Sequence, residues 1–235
     1  MQKYSVFSLI KNAFSNHQNW EVAWKDPTPK SEYDVVIIGG GGHGLATAYY
    51  LAKEHNIRNV AIIEKGWIGG GNVGRNTTII RSNFMYDANA RFNEFGMDLW
   101  RNLSQELNFN VMFSPRGIIN LAHSDAQMNA YARRGNSMRL NGIDAKLLDR
   151  DEVKKLIPMA DFSDEVRFPI FGGLMQPSAG TARHDAVAWG YARQADDMGV
   201  DIIQHCEVTG FDVVNGKIKG IRTSRGDIKA KKVGL

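Results

Sequence analysis

The stretch Tyr33-Asp34-Val35-Val36-Ile37-Ile38-Gly39-Gly40-Gly41-Gly42-His43-Gly44 decides how the rest of the chain is read. Its first half is an almost unbroken apolar run rich in β-branched side chains. A run of that length without polar alternation is expected of a parallel strand buried on both faces. Its second half satisfies G-x-G-x-x-G at Gly39, Gly41 and Gly44. In that pattern the first glycine permits a tight turn, the second lets backbone approach a pyrophosphate, and the third lets helix pack on strand. Residues 45–55 read as the helix so opened, and Asn59-Val60-Ala61-Ile62-Ile63-Glu64 as a second buried strand ending on an acid. This is a β-α-β unit with room for a pyrophosphate at the positive helix end. Glu64 stands 20 residues beyond Gly44, where a carboxylate accepts hydrogen bonds from ribose hydroxyls. In a chain with 24 glycines the glycine spacing alone says little; strand, helix and acid together make it a dinucleotide site.

On the amino-terminal side, Pro27, Pro29 and Ser31 break the chain and leave residues 1–32 as an arm. Phe7, Leu9, Ile10 and Phe14 recur at near-helical spacing, followed by Trp20 and Trp24. The arm is expected to carry an apolar face that packs on its own domain, with docking on a partner subunit as the alternative. It has neither the apolar core of a signal peptide nor the arginines of a transit peptide.

On the carboxy-terminal side the expected elements are a glycine-rich loop over 66–75, a helix over 88–107 and a strand over 117–122. A helix over 124–140 has Ser124 and Gln127 at capping-box spacing, and another helix covers 182–198. Four short strands follow at 201–204, 207–214, 217–223 and 227–233. Asn215-Gly216 between two of them asks for a type I′ hairpin turn. Val233-Gly234-Leu235 reads as the start of one more buried strand, so the chain is expected to be a fragment lacking its carboxy-terminal part. The fold class is α/β: a doubly wound, Rossmann-like domain begins in 33–110, a substrate-side α+β region occupies 111–180, and 181–235 returns to the first domain with a β-meander.

The bulk composition narrows the partners. With 43% hydrophobic residues the chain can bury a real core. A net charge of +4 from 29 basic and 25 acidic residues forms no basic stripe, so nucleic acid is not expected. No apolar run approaches the roughly 18 residues of a membrane span. One cysteine, Cys206, excludes an internal disulfide and fits a reducing compartment, so a cytoplasmic protein is expected. No His/Cys/Glu set has metal spacing.

Two further stretches carry chemistry. Gly69-Gly70-Gly71-Asn72-Val73-Gly74-Arg75-Asn76-Thr77-Thr78-Ile79-Ile80-Arg81 supplies backbone and side-chain donors suited to a flavin ring or a phosphate. His184, in Gly180-Thr181-Ala182-Arg183-His184-Asp185, sits at a helix start between a cation and an anion; the residues alone favour a capping or structural role, because Thr181 and Asp185 look like helix-start residues.

Residues 34–53, the loop Arg75-Asn76-Thr77-Thr78-Ile79-Ile80-Arg81-Ser82-Asn83 and the run Arg183-His184-Asp185-Ala186-Val187-Ala188-Trp189 together resemble the β subunits of heterotetrameric sarcosine oxidases. The resemblance implies an enzyme of four different subunits. It oxidises sarcosine to glycine, passes the methylene group to tetrahydrofolate to give 5,10-methylenetetrahydrofolate, and reduces oxygen to hydrogen peroxide. It also implies noncovalent FAD and an FMN attached through a histidine, which corresponds to His184 here, with Arg183 beside it. Positions corresponding to FAD contacts are Gly41, Gly42, Glu64, Asn72, Thr77, Ile79 and Val208, alongside Gly39 and Gly44 of the turn. Arg81 is similar in placement to an arginine that holds the substrate carboxylate in related monomeric oxidases. Two rival readings stay open: another FAD-dependent amine oxidase of dimethylglycine or amino-acid type, and a silent chain that only binds nucleotide or partner subunits.

Overall fold

The structure, a computed structural model, describes residues 5–18 and 20–235. In chain order the elements are α1 (Val6–Ala13), β1 (Glu32–Ile38), α2 (Gly42–His55), β2 (Val60–Ile63), a 3-10 turn (Asn72–Arg75), β3 (Ile79–Ile80), α3 (Asp87–Glu106), β4 (Ile118–Ala122), α4 (Asp125–Leu140), β5 (Lys146–Asp149), α5 (Arg150–Leu156), β6 (Gly172–Gln176), β7 (Gly180–Thr181), α6 (His184–Asp197), β8 (Asp201–Ile203), β9 (Val208–Val214), β10 (Lys217–Thr223) and β11 (Gly226–Gly234). The chain divides into two compact units. The first comprises the residues up to Thr77 with Ser104–Val111 and Arg183–Leu235; the second comprises Thr78–Leu103 and Met112–Ala182. The second unit thus takes in 78–103, a stretch the sequence reading kept within 33–110.

The first unit is built on a six-stranded sheet in the order β8-β2-β1-β11-β10-β9. β8, β2, β1 and β11 run parallel, while β10 and β9 fold back antiparallel. The central strands lack alternation because both faces are covered: Val36, Ala61, Ile62, Ile63, Ile202 and Ile203 are all buried. Each buried isoleucine contributes about 1.5–3 kcal/mol relative to an exposed one. The β9–β10 hairpin turns at Asn215 and Gly216, with φ of 51° and 72°, as a type I′ turn demands. β11 then returns alongside β1, pairing Tyr33 with Ala230 and Val36 with Val233. Val233 and Gly234 therefore end β11 rather than open a further strand. An apolar strand tip and an apolar strand start look alike in sequence, and here pairing with β1 decides between them.

Tyr33 ties the start of β1 to β8. It is fully buried, its hydroxyl accepts from the Lys30 N–H at 3.0 Å and donates to Asp201 Oδ2 at 2.9 Å. Burial, with the Asp201 bond added, pushes its hydroxyl pKa up to about 12. Helices α2 and α6 pack through Tyr49 and Tyr191, whose rings lie edge-on at 5.5 Å. α6 is buried around most of its girth because small residues line it. Gly190 is one of these: a Cβ there would stand 3.0 Å from Leu107 and 3.3 Å from Phe109.

The arm departs from expectation. α1 forms, capped by Ser5 Oγ accepting from the Ser8 N–H, but its apolar residues do not pack on the domain: Phe7 is 79% and Phe14 90% exposed. The arm is fastened further along by polar bonds instead. Lys25 N–H donates to Asp196, Asp26 accepts from the Gln204 N–H, and Arg225 bonds both Asp26 and the Pro27 carbonyl. Periodicity detects a helical face but says nothing of what covers it.

The second unit contains the three-stranded antiparallel sheet β4-β6-β5 and the short pair β3-β7. Its middle strand, β6, begins with two glycines because there is no room for anything larger. A Cβ on Gly172 would lie 2.5 Å from the Leu148 carbonyl, and one on Gly173 2.9 Å from the Asn120 carbonyl. α5 starts with a complete capping box between Asp149 and Glu152. The box expected at Ser124 closes differently: Ser124 Oγ accepts from the Gln127 N–H, but Gln127 returns its bond to the N–H of His123, one residue early. Among the described residues no helix is long and apolar enough to cross a membrane.

Candidate functional site

The glycines of the first turn separate into two kinds. Gly39 has φ of 110°, which side-chain-bearing residues rarely adopt. A Cβ on Gly44 would sit 2.1 Å from the Gly39 carbonyl, so that glycine is what lets α2 close on the turn. Gly40 was not anticipated: a Cβ there would come within 3.1 Å of Glu64 Cβ. Gly41 and Gly42 are different. Gly41 caps α2 with φ of −83° and ψ of 179°, ordinary extended backbone. Added Cβ atoms at Gly41 and Gly42 would meet nothing nearer than Val73 Cγ2, at 3.7 and 3.5 Å. Nothing in the chain's own backbone or packing requires glycine at these two positions. The missing side chains leave the start of α2 open to close approach by a ligand, where free N–H groups and the helix dipole favour an anion such as pyrophosphate.

Glu64, directly after β2, faces this turn with both carboxylate oxygens engaged. Oε2 accepts from the Gly40 N–H and Oε1 from the Gly66 N–H, each at 2.8 Å. Each oxygen has a second lone-pair direction, so a ribose hydroxyl fits onto a carboxylate that is already oriented. The following loop is tied back to the turn by the Gly69 N–H donating to the Gly40 carbonyl at 3.3 Å. Gly69 takes φ of 79°, and a Cβ on Gly74 would stand 2.7 Å from the Gly69 carbonyl, so the loop is tightly wound. Asn72 and Thr77 are exposed along this loop. Val208, at the start of β9, packs on the same core cluster as Ile38 at the end of β1. The first unit thus gathers the turn, Glu64, Asn72, Thr77 and Val208 around one sheet; Ile79 and Arg81 belong to the second unit.

His184 is the first residue of α6, with Arg183 as its cap. The two charges flanking it close on each other: Arg183 Nε and Nη2 donate to Asp185 Oδ1 and Oδ2 at 2.8 and 3.0 Å. The Arg183 guanidinium holds the Asp185 carboxyl below the usual carboxylate range. The His184 ring takes no part in this pair, and its Nδ1 is buried without a hydrogen-bond partner. A buried imidazole nitrogen left unsatisfied costs stability unless something else engages it. The helix N-terminus and Arg183 beside it suit a phosphate-bearing ligand, so the residues present fit a phosphorylated cofactor bonded through His184.

In the second unit, Ile79 pairs with Thr181 across β3-β7 and is 46% exposed. Arg81 lies over the Phe84 ring at 4.9 Å and donates to the side-chain oxygen of Asn83. Ser82, Asn83 and Gln176 are buried polar residues that the sequence reading did not single out. They are bonded to one another's neighbourhoods: Gln176 accepts from the Ser82 N–H and donates to Ser82 Oγ, and Asn83 donates to Asn120. No linear pattern announces such a network, because its members are separated by up to 94 residues.

Comparison with known proteins agrees with this geometry. The FAD dependent oxidoreductase family matches residues 34–234. The chain is 60% identical over 233 residues to the sarcosine oxidase subunit beta of Rhizobium meliloti (strain 1021), covering 99% of this chain and 56% of that protein. It is 52% identical to the sarcosine oxidase subunit beta of Arthrobacter sp, covering 92% and 53% respectively. Among solved structures, L-proline dehydrogenase from P.horikoshii superposes with a TM-score of 0.80 at 30% identity, over 87% of this chain and 52% of that one. The chain spans about half the length of the relatives it matches. Because the match begins at Asp34 and runs through the glycine turn, Glu64 and the whole of β11, the chain belongs to the FAD dependent oxidoreductase family.

Proposed function

We propose that the chain is the flavin-holding part of a sarcosine oxidase β subunit, with FAD bound noncovalently at the glycine turn and FMN attached covalently to His184. In an assembly of four different subunits, in the cytoplasm, it oxidises sarcosine to glycine, with the methylene group passed to tetrahydrofolate and oxygen reduced to hydrogen peroxide. The observation that carries the reading is the buried, unpartnered Nδ1 of His184, in a chain similar throughout to sarcosine oxidase β subunits. When bound, FAD supplies hydride acceptance from the N-methyl carbon of the amine and FMN a relay of those electrons to oxygen.

The chain's own residues bind and orient. The N–H groups at the start of α2 hold the pyrophosphate, and Glu64, fixed by Gly40 and Gly66, accepts from the ribose. Asn72, Thr77 and Val208 complete the first unit's FAD contacts. The Arg183–Asp185 pair holds the start of α6 and leaves the His184 ring outside it, with Nδ1 lacking a hydrogen-bond partner. Arg81 receives the substrate carboxylate.

The test is to express the full chain with its partner subunits as wild type and as His184→Asn, precipitate with acid, and look for flavin in the pellet. Loss of pellet flavin in the variant, with FAD retained in the native complex, is the expected result. Covalent flavin surviving in His184→Asn overturns the assignment.

A further inference from the structure

The loop that follows β2 has no secondary structure of its own, so its backbone groups must find partners elsewhere. They find them at the carboxy-terminal tip of β8. The Glu64 N–H donates to the Ile203 carbonyl, and the Cys206 and His205 N–H groups donate to the carbonyls of Glu64 and Gly66, each at 2.9 Å. Those are main-chain bonds, which any side chain would permit. The next one depends on a particular residue: the N–H of buried Ile68 donates to the side-chain Oε1 of Gln204 at 2.9 Å.

Gln204 is itself held from behind. Its N–H donates to Asp26 Oδ1 at 3.1 Å, and its carbonyl accepts from Arg225 Nη1 at 3.0 Å. Arg225 Nη1 also donates to Asp26 Oδ1 at 2.9 Å, and Nη2 to the Pro27 carbonyl at 3.2 Å. One side chain from the arm and one from the turn between β10 and β11 therefore close around both main-chain groups of Gln204. On the other side of Ile68, the Gly69 N–H reaches the Gly40 carbonyl at 3.3 Å, and the Gly40 N–H donates to Glu64 at 2.8 Å. A loop pinned at Glu64, Gly66 and Ile68 keeps the Glu64 carboxylate oriented before a nucleotide arrives, and a group oriented in advance loses less affinity to ordering.

We infer that Gln204 is a positioning residue for the nucleotide loop, and that Asp26 and Arg225 are the clasp that positions Gln204. The arm thereby acts on FAD affinity through Gln204 and the loop rather than by contact. The link to FAD rests on the ribose placement at Glu64 proposed above; the hold on the loop rests on Gln204, Asp26 and Arg225.

Hydrogen exchange in the FAD-free full chain reads the hold, and calorimetric titration with FAD reads its effect. Gln204→Leu keeps the bulk but takes the acceptor from the Ile68 N–H; exchange rises over residues 64–70 and FAD binding weakens about tenfold. Asp26 is exposed, so Asp26→Ala keeps the fold even where Gln204→Leu does not. It raises the same exchange and weakens FAD about threefold. Asp26→Asn retains an oxygen for both the Gln204 N–H and Arg225, and recovers most of that loss. Added to Gln204→Leu, Asp26→Ala removes little further FAD affinity, because the clasp has nothing left to transmit, while its cost to the melting temperature persists.

Unchanged exchange over 64–70 in these variants, Asp26→Asn as weak as Asp26→Ala, or FAD losses that simply add in the double variant each overturns the positioning role. So does a loosened loop that leaves FAD affinity intact while Glu64→Ala weakens it. If the loop loosens and neither these variants nor Glu64→Ala changes FAD affinity, the hold on the loop stands and the ribose placement at Glu64 is what falls.

Discussion

The two units solve the burial problem in opposite ways. In the first, the parallel strands are covered on both faces by apolar side chains, and the polar groups that matter sit at strand ends, as Glu64 does after β2. In the second, the middle strand β6 carries Gln176 into the interior, where Ser82 and Asn83 are also fully buried and bonded. The contrast teaches where each unit can be altered. The first tolerates change wherever the chain's own packing does not demand a residue, and binds its ligand there. The second holds its candidate ligand groups on a buried polar network, so removing a single member leaves another unsatisfied.

The largest effect expected from this contrast lies within one turn. Gly44→Ala drives a Cβ to 2.1 Å from the Gly39 carbonyl, a backbone atom that cannot step aside. It should destabilise the first unit by more than about 3 kcal/mol and abolish flavin retention. Gly41→Ala meets nothing closer than 3.7 Å. It should change stability by less than about 1 kcal/mol while lowering FAD affinity about tenfold or more. Denaturant melts of both apoproteins, with flavin absorbance after gel filtration, separate the two; if Gly41→Ala unfolds as readily as Gly44→Ala, the division of the glycines is wrong.

The next effect belongs to the second unit. Gln176→Leu keeps the volume but strips the Ser82 N–H and Oγ of their buried partner. A cost of about 3 kcal/mol is expected, the sum of an orphaned donor and a disturbed network. Hydrogen exchange should rise across β4 and β6 and stay unchanged across β1 and β2. Equal loosening of both would show that the two units do not differ in the way argued.

How far the sequence could be read follows the same division. The β-α-β start, Glu64 and the Asn215-Gly216 turn were legible because each rests on local order: apolar runs, a spaced acid, a residue pair with positive φ. β5, β6 and α5 were missed although α5 opens on Asp149-x-x-Glu152, a readable box. β6 has neither alternation nor β-branching, since its glycines answer to the Leu148 and Asn120 carbonyls on neighbouring strands. Arg81 was legible as a donor closing the 69–81 loop, and as a carboxylate ligand only through a resemblance; the Ser82–Gln176 bond was not legible at all, for it joins residues 94 apart. The exposed apolar residues of α1 mark the other limit: a pattern gives a face but not its partner.

Glu64→Ala tests the acid in both of its roles. It should weaken FAD by about 1–3 kcal/mol through loss of a charge-assisted acceptor. Because Gly40 and Gly66 each lose their acceptor, the apoprotein should also lose about 1–2 kcal/mol, which a residue serving ribose alone would not do. Calorimetric titration of FAD and urea melts of the apoprotein measure the two. Unchanged FAD affinity shows that the ribose lies elsewhere; an unchanged apoprotein melt shows that the Gly40 and Gly66 bonds do not hold the turn.

The smallest effect, and the finest test of the contrast, lies in Tyr33. Its hydroxyl is buried between the Lys30 N–H and Asp201, and its pKa stands raised from 10.0 to about 12. A group whose folded pKa exceeds its unfolded value contributes stability that is complete below the unfolded pKa and is lost as pH rises through the folded one. The Tyr33 contribution is therefore whole below pH 10 and fades between pH 10 and about 12. Tyr49 and Tyr191 are shifted upward too, each by burial first, so wild type and variant share their titration and it cancels in the difference. Tyr33→Phe should cost about 1 kcal/mol at pH 8, the worth of a buried hydrogen-bonded hydroxyl. The gap between the two proteins should narrow steadily as the pH is raised toward 12, because wild type loses what the phenylalanine never had. Urea melts of both proteins at several values from pH 8 to 11.5 measure that gap. A difference that stays constant across the range means that the hydroxyl ionises alike in folded and unfolded chains, and that neither burial nor the Asp201 bond disfavours its anion.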